Sequence, residues 1–266
     1  MALHALGQGH DSGSNGIPEF YLCGHAAWTN QRGLDRQVIT LIVPTRNRAH
    51  TLRLVASSYY ELEGVSEIIV VCDAGDDDTA SVIDDVSKAY PQIVTKFMRN
   101  ATRLGAAGAR NAGVAEASNE YILFCDDDEY LEPLYAVTCL RKLLEYDAGA
   151  VSGRNIYMLE NETRQEAVTR FGYGMRRAKP FNYLIGESVN GALYRGDVSL
   201  PYTHAIILTK REYLLEEPFD PFYAKGNGYR EESDFQMRLF LKGKGIYSTN
   251  EVHAIHLPPS KVRTGG

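Results

Sequence analysis

Three consecutive carboxylates, Asp126-Asp127-Asp128, with Glu129 behind them, follow the apolar run Tyr121-Ile122-Leu123-Phe124-Cys125. The run reads as a buried strand, so the acids fall where that strand ends. Like charges crowded at one point cost stability unless a cation or a hydrogen-bond network offsets them. A hard divalent ion, Mg²⁺ or Mn²⁺, suits such a place. It takes oxygen ligands, is held by one or two carboxylates, and leaves positions open for substrate phosphates. An acidic turn facing the positive start of the next helix is the plainer alternative.

A second acidic stretch, Arg230-Glu231-Glu232-Ser233-Asp234, opens an amphipathic helical pattern with Phe235, Met237 and Leu239 on its inner face. A hydroxyl attacking a carbon centre needs a group to take its proton, and a positioned carboxylate does so at a gain of roughly 10²–10⁴ in rate. Acids complementing a helix dipole are again the plainer reading. The triple aspartate upstream is what tips the balance towards chemistry. Gly226-Asn227-Gly228-Tyr229, just ahead, supplies glycine hinges for a lid.

The elements that must position these groups alternate strand-like and helix-like from Val38 onward, the pattern of a parallel sheet covered by helices. Val38 to Val43 predicts a first strand ended by Pro44, and Leu52, Val55 and Tyr59 predict a helix over residues 50 to 61. Ile68 to Val71 predicts a second strand. It is followed by the acidic loop 73–78 and a helix through Val82, Ile83 and Val86, with Asp78 or Thr79 as N-cap. Ile93 to Met98 is a third strand, and Gly105 to Asn111 opens a helix of small residues that lets Arg110 and Asn111 approach the site. In such sheets ligands gather at the carboxyl ends of the strands. Pro44-Thr45-Arg46-Asn47-Arg48, Asp73, Arg99, Arg103 and the aspartates converge there. The set suits a nucleotide diphosphate: Asp or Asn reads a base edge, Arg pairs with phosphate, and a metal bridges two phosphates. The glycines at 105 to 113 carry neither a GKS/T ending nor a GxGxxG after the first strand.

At 266 residues and 44% hydrophobic, the chain can bury a full core as one domain with an elaborated second half. A net charge of −6 and a pI near 5.7 argue against a nucleic-acid partner. Cys23, Cys72, Cys125 and Cys139 lack CxxC spacing and read as reduced structural thiols. With no signal peptide and no membrane-spanning run, the expected location is cytoplasmic, with room for peripheral contact at the inner face of the membrane. Residues 1–37 read as a poorly ordered leader, docked through Phe20-Tyr21-Leu22 and Trp28, and the end at Thr264-Gly265-Gly266 suggests a further C-terminal piece.

On these motifs the chain resembles glycosyltransferase family 2, a group of inverting enzymes with the GT-A fold: an α/β, Rossmann-like, mostly parallel sheet flanked by helices. Ile42-Val43-Pro44-Thr45-Arg46-Asn47 resembles the family's opening strand and base-binding loop. Val70 to Thr79 resembles its VVDDGSTDDT segment, with Cys72 in place of the first aspartate and Ala74 in place of the glycine. Arg103-Leu104-Gly105 and Ala109-Arg110-Asn111-Ala112-Gly113 resemble NxG…ARNxG, with Arg103 for Asn. Tyr121 to Asp128 resembles YILFLDSDD, the DxD motif, and residues 231–238 resemble EDxDxxxR with Glu232 at the catalytic aspartate. The resemblance implies a nucleotide-sugar-binding half at 38–150 and an acceptor-binding and catalytic half at 151–266. It implies donor contacts from Pro44, Thr45, Arg46, Asn47, Asp73, Arg103, Gly105, Arg110, Asp126 and Asp127. It also implies a divalent metal, Mn²⁺ or Mg²⁺, on Asp128, Asp126 and His256, with Glu232 as base and Glu231 or Asp234 as alternatives. His253 is the weaker histidine.

Residues 151–204 interleave aromatics and cations: Arg154, Tyr157, Arg170, Phe171, Tyr173, Arg176, Arg177, Phe181, Asn182 and Tyr183. Aromatic faces stack on sugar rings and Arg pairs with anions, which suits a glycan or lipid-linked saccharide acceptor; a membrane-facing surface or a plain packed subdomain competes. Thr203 to Leu208 resembles a strand on the family's acceptor side. The expected activity is metal-dependent transfer of a sugar from a nucleotide-sugar, a UDP-sugar, with inversion by single displacement. A noncatalytic sugar-nucleotide or glycan-binding relative is the alternative, and a nucleotidyltransferase is disfavoured because Pro44 to Arg48 lacks glycines.

Overall fold

The computed structural model describes residues 39–174, 181–182, 184, 186–188, 191, 193–224 and 230–262, with side chains at all of these but 171–174 and 187–188. The leader, the lid at 226–229, and Arg176, Arg177 and Tyr183 lie outside the described residues, as do the side chains of Phe171 and Tyr173. Residues 37–266 form one compact unit.

The β-branched runs pair as expected. β1 (Ile39–Thr45) lies between β2 (Val65–Cys72) and β4 (Tyr121–Phe124), parallel to both, and β2 carries β3 (Val94–Arg99) on its far side, also parallel. Both faces of these strands are covered, which is why β1, β2 and β4 are apolar almost without interruption. The second half extends the same sheet. β10 (Leu208–Lys210) runs antiparallel to β4 and to β6 (Ala150–Tyr157); β6 runs parallel to β11 (Ile246–His256); and β5 (Glu129–Leu131) and β9 (Val198–Leu200) close antiparallel on β11. The long pairings are parallel and the short ones antiparallel, so the sheet is mostly parallel. A small hairpin, β7 (Phe181–Asn182) with β8 (Glu187–Ser188), stands apart.

Three local expectations change. The helix predicted over 50 to 61 is two pieces, α1 (Ala49–Val55) and α2 (Ser57–Tyr60), where the Ser58 hydroxyl takes the Val55 carbonyl at 2.7 Å. Neither Asp78 nor Thr79 caps α3 (Thr79–Ser87) with a side chain. Asp77 accepts from Thr79 N at 3.2 Å and Thr79 Oγ1 at 2.6 Å, and reaches Ala49 N at 2.8 Å, clamping the starts of α3 and α1 together. The strand expected at Thr203 to Leu208 begins only at Leu208. Residues 203–207 are a buried irregular segment built on His204, whose Nδ1 accepts from Ile206 N at 3.1 Å and whose Nε2 donates to Gly153 O at 2.9 Å. Burial drives that imidazole's pKa down to about 4, so it stays neutral. The Gln236 side chain satisfies Thr203 N and the His204 carbonyl.

The core over the site side of the sheet joins Ile42, Val71 and Phe124 to Phe219, Phe235 and Leu239. Phe235 and Leu239 come from α8 (Glu231–Leu241), as its pattern predicts; Met237 packs elsewhere, on Phe181, Leu200 and Tyr202. Helix α4 (Gly105–Glu116) lies on β1 and β2 so closely that a Cβ on Gly113 would stand 2.6 Å from Ile42 Cγ2. Cys72, Cys125 and Cys139 are free and buried. No described helix is long and apolar enough to cross a membrane. Gly113→Ala must lift α4 off the sheet, and we expect it to lower stability by about 1–3 kcal/mol, as overpacked cores do. Denaturant unfolding checks this; an unchanged midpoint would mean that α4 is not tightly seated.

Candidate active site

The carboxyl ends of β1, β2 and β4 and the start of α4 enclose a cleft of about 260 Å³, with His256 from the end of β11 on its far wall. Pro44, Thr45, Arg46, Asp73, Arg103, Gly105, Asp126, Asp127, Asp128 and His256 all line it, so the topology brings together most of the residues expected at a donor and metal site. Arg48 lines it too.

Several of these residues are held by one another. Asp73 is buried and accepts Asn100 Nδ2, Leu104 N and Gly105 N, each at 2.8 Å, which fixes the turn into α4. Gly105 adopts φ +71 there, and a Cβ would come within 3.0 Å of the Ala224 backbone. Asn47 turns away from the cleft: at φ 54 its Oδ1 accepts Asp76 N at 2.9 Å, bracing the acidic loop. Asn111 also misses the site, clasping both backbone groups of Phe219 at 2.8 and 3.0 Å. Arg110 sits behind the cleft wall, buried, giving Nη2 to Asp126 at 2.9 Å and Nη1 to Glu231.

The carboxylates crowd as the sequence implies. Thr45 Oγ1 donates to Asp127 at 2.6 Å, and Arg48 Nη1 reaches Asp128 at 3.1 Å. Burial, with the Asp128 charge adding to it, pushes the Asp127 carboxyl up to about 7. Burial likewise raises Asp128, with the Asp126 charge adding and His256 and Arg48 opposing, and it raises Glu129 well above the usual range with help from Asp126 and Asp128. His256 Nδ1 stands 2.6 Å from the Leu257 carbonyl and its Nε2 3.6 Å from Asp128 Oδ2, so in the Nδ1-protonated neutral tautomer the ring offers an Nε2 lone pair on the side of Asp128. Ligand atoms of Asp128, Glu129 and His256 lie within 4.8 Å of one another. Glu129 Oε1 accepts Asn155 Nδ2 at 3.0 Å while its buried Oε2 has no hydrogen-bond partner among the described residues. A buried carboxylate oxygen without a donor, beside a second carboxylate and an imidazole lone pair, fits a divalent cation.

Sequence reasoning placed Asp126 in that set and passed over Glu129. Asp126 is tied to Arg110 instead, and Glu129 joins only because β5 pairs with β11, setting Glu129 opposite His256. His253 is occupied, with its N and Nδ1 on Glu132 at 2.8 and 3.0 Å.

On α8 the three acids part company. Glu231 is buried against Arg110; burial raises its carboxyl, the Arg110 charge opposes, and the neighbouring Glu232 charge adds. Asp234 pairs with Arg238 at 2.9 Å. Glu232 is half-buried and, among the described residues, takes a 3.2 Å bond from the adjacent Ser233 hydroxyl. In the stretch 151–204, Arg154 is buried on the Gly191 carbonyl at 2.7 Å, Arg170 holds Glu162, and Phe181 packs on Tyr202. Tyr157 is about half exposed, its ring 5.1 Å from that of His256.

The sequence profile of Glycosyl transferase family 2 matches residues 40–214, which hold all the residues lining this cleft except His256. The chain belongs to this family. It is 30% identical over 129 residues to the glycosyltransferase GlyA of Streptococcus pneumoniae, covering 47% of this chain and 18% of that protein. It is 35% identical over 94 residues to the GalNAc(5)-diNAcBac-PP-undecaprenol beta-1,3-glucosyltransferase of Campylobacter jejuni, covering 35% of this chain and 30% of that one. The matches therefore span less than a third of either relative. The likeness extends further in three dimensions: the fold superposes on GalNAc-T7, solved with UDP, GalNAc and Mn²⁺, at a TM-score of 0.66 and 13% identity, over 83% of this chain and 43% of that one. The fold is GT-A. Within the family pattern Ala74 stands at the glycine position and takes φ 54, the left-handed conformation that glycine adopts without cost.

Asp127 carries a pH signature. Its folded pKa of about 7 lies above the 3.8 of an ordinary aspartate, so the folded state binds the extra proton. Its contribution to stability is then fullest below pH 4 and is lost as pH rises through 7. Asp127→Asn cannot ionise and still accepts from Thr45. With divalent cations chelated, we expect its advantage over the wild type to grow by about 2–3 kcal/mol between pH 5 and pH 8. Urea unfolding at both pH values checks this, and an equal difference at the two would assign the buried proton elsewhere.

Proposed function

We propose that this protein is a metal-dependent, inverting glycosyltransferase that moves a sugar from a UDP-sugar to a hydroxyl of a glycan or lipid-linked saccharide by single displacement. One observation carries the reading. Asp128, Glu129 and His256, a set suited to a divalent cation, stand at a cleft of about 260 Å³, and one buried arginine ties that cleft to the helix bearing Glu232, which has no salt bridge among the described residues. The named relatives and the UDP- and Mn²⁺-bound neighbour support the donor and acceptor classes. The reading keeps to the cytoplasm; contact with the inner face of the membrane gains nothing from the described helices.

A divalent ion would be held by Asp128, Glu129 and His256, and when bound it supplies a Lewis acid for the departing diphosphate. The chain's own residues do the rest. Arg46 and Arg103 on the cleft wall neutralise phosphate charge. Asp73, fixed by the backbone at Leu104 and Gly105, presents a carboxylate edge to the base. Arg110 holds Asp126 at the sugar end and, through Glu231, sets the start of α8. Glu231 and Asp234 are committed to Arg110 and Arg238, so Glu232 takes the acceptor's proton as the hydroxyl attacks the anomeric carbon. Glutamate is one methylene longer than the family's aspartate, and the half-buried start of α8 leaves it that reach.

Calorimetric titration with UDP, GDP and dTDP, with and without Mn²⁺, tests the donor class. We expect UDP binding that needs Mn²⁺ and is abolished in Asp128→Ala; no nucleotide binding at all would remove the transferase reading in favour of a noncatalytic glycan-binding protein. Glu232→Gln should keep UDP affinity while turnover falls by roughly 10²–10⁴. Unaltered turnover would remove Glu232 as the base.

A further inference from the structure

Arg48 stands in the position of a cation. Its Nη1 lies 3.1 Å from Asp128 Oδ2 and 3.9 Å from Asp127 Oδ1, and 20% of the side chain is exposed along the cleft wall. Its backbone is pinned independently, because its carbonyl accepts Thr51 N and Leu52 N at 3.1 Å and Thr51 Oγ1 at 2.8 Å. The guanidinium can therefore swing about a fixed Cα without disturbing α1. Arg110, the other guanidinium at the cluster, is committed to Asp126 and Glu231 and is not free to follow. A divalent ion on Asp128 and the Arg48 guanidinium cannot share Asp128 Oδ2 without strong like-charge repulsion in so buried a place. One of them must yield, and the neighbouring destination for a displaced guanidinium is an anion in the same cleft.

We propose that Arg48 is a built-in counter-ion: it neutralises Asp127 and Asp128 in the metal-free protein, leaves Asp128 when the divalent ion arrives, and turns to the phosphates of the donor. The inference rests on the metal-dependent reading above and adds a linkage to it. Metal and nucleotide each bind more tightly when the other is present, because each gives the other's competitor somewhere to go, and the coupling is reciprocal. Arg48 is thus a positioning residue for the donor complex.

The test reads Mn²⁺ affinity by paramagnetic resonance of the free ion, with and without UDP, in the wild type, Arg48→Gln, Arg48→Lys and Arg46→Gln. Loss of one charged hydrogen bond from Asp128 should tighten Mn²⁺ binding by nucleotide-free Arg48→Gln about tenfold. Arg46→Gln removes the same charge from the same cleft and should stay within about twofold of the wild type, as should Arg48→Lys, which keeps the counter-ion. UDP should tighten Mn²⁺ binding clearly in the wild type and much less in Arg48→Gln. Unchanged or weaker Mn²⁺ binding in Arg48→Gln, or equal tightening in Arg48→Gln and Arg46→Gln, would overturn the counter-ion role while leaving the transferase reading intact. If the wild type shows no Mn²⁺-dependent UDP binding, both fall together.

Discussion

Four carboxylates at the end of one strand are the constraint to which the rest of this structure answers. Asp126, Asp127 and Asp128 fill the turn between β4 and β5 after Cys125, Glu129 opens β5, and burial forces the last three towards their neutral forms. Each nearby cation or donor is placed against one of them: Arg110 on Asp126, Thr45 on Asp127, Arg48 and His256 on Asp128, Asn155 on Glu129. The cluster is nearly balanced, yet one buried oxygen of Glu129 is left without a donor among the described residues.

Arg110 shows how the two halves of the chain are made to act together. A buried guanidinium between two carboxylates is costly to form and costlier to break, since removing one partner leaves an uncompensated charge. It therefore ties Asp126 at the end of β4 to Glu231 at the start of α8, across 105 positions of sequence, with little freedom. Its approach depends on α4 being made of glycine and alanine over its first turns, because a larger residue at Gly113 would strike Ile42 and hold the helix away from the sheet. The small-residue run is thus a packing device for placing one arginine, and not a phosphate loop.

The departures from the family pattern make local sense. Ala74 accepts a left-handed backbone because the loop it sits in is braced from both sides, by Asn47 on Asp76 and by Asp77 on Ala49. At the start of α8, Glu231 and Asp234 are paired with Arg110 and Arg238, whereas Glu232 has no salt bridge among the described residues.

Much of the sheet's first half was legible in the residues themselves. Apolar runs of β-branched residues must be buried strands, acids after them must lie at the strand ends, and a parallel sheet puts all those ends on one rim; hence Thr45, Asp73, Arg103 and the aspartates were found together. Local order was less legible where a side chain competes for backbone groups, as Ser58 does between α1 and α2 and His204 does ahead of β10. What the sequence could not convey was partnership between distant residues. That Glu129 faces His256, that Arg48 rather than a helix dipole answers Asp128, that Glu231 is spent on Arg110, and that Asn47 and Asn111 turn to structural work were decided by tertiary pairing alone. Periodicity reports which face a side chain takes, a property of its own segment. Which charge meets which is settled only when the sheet closes and burial makes every unpaired group costly.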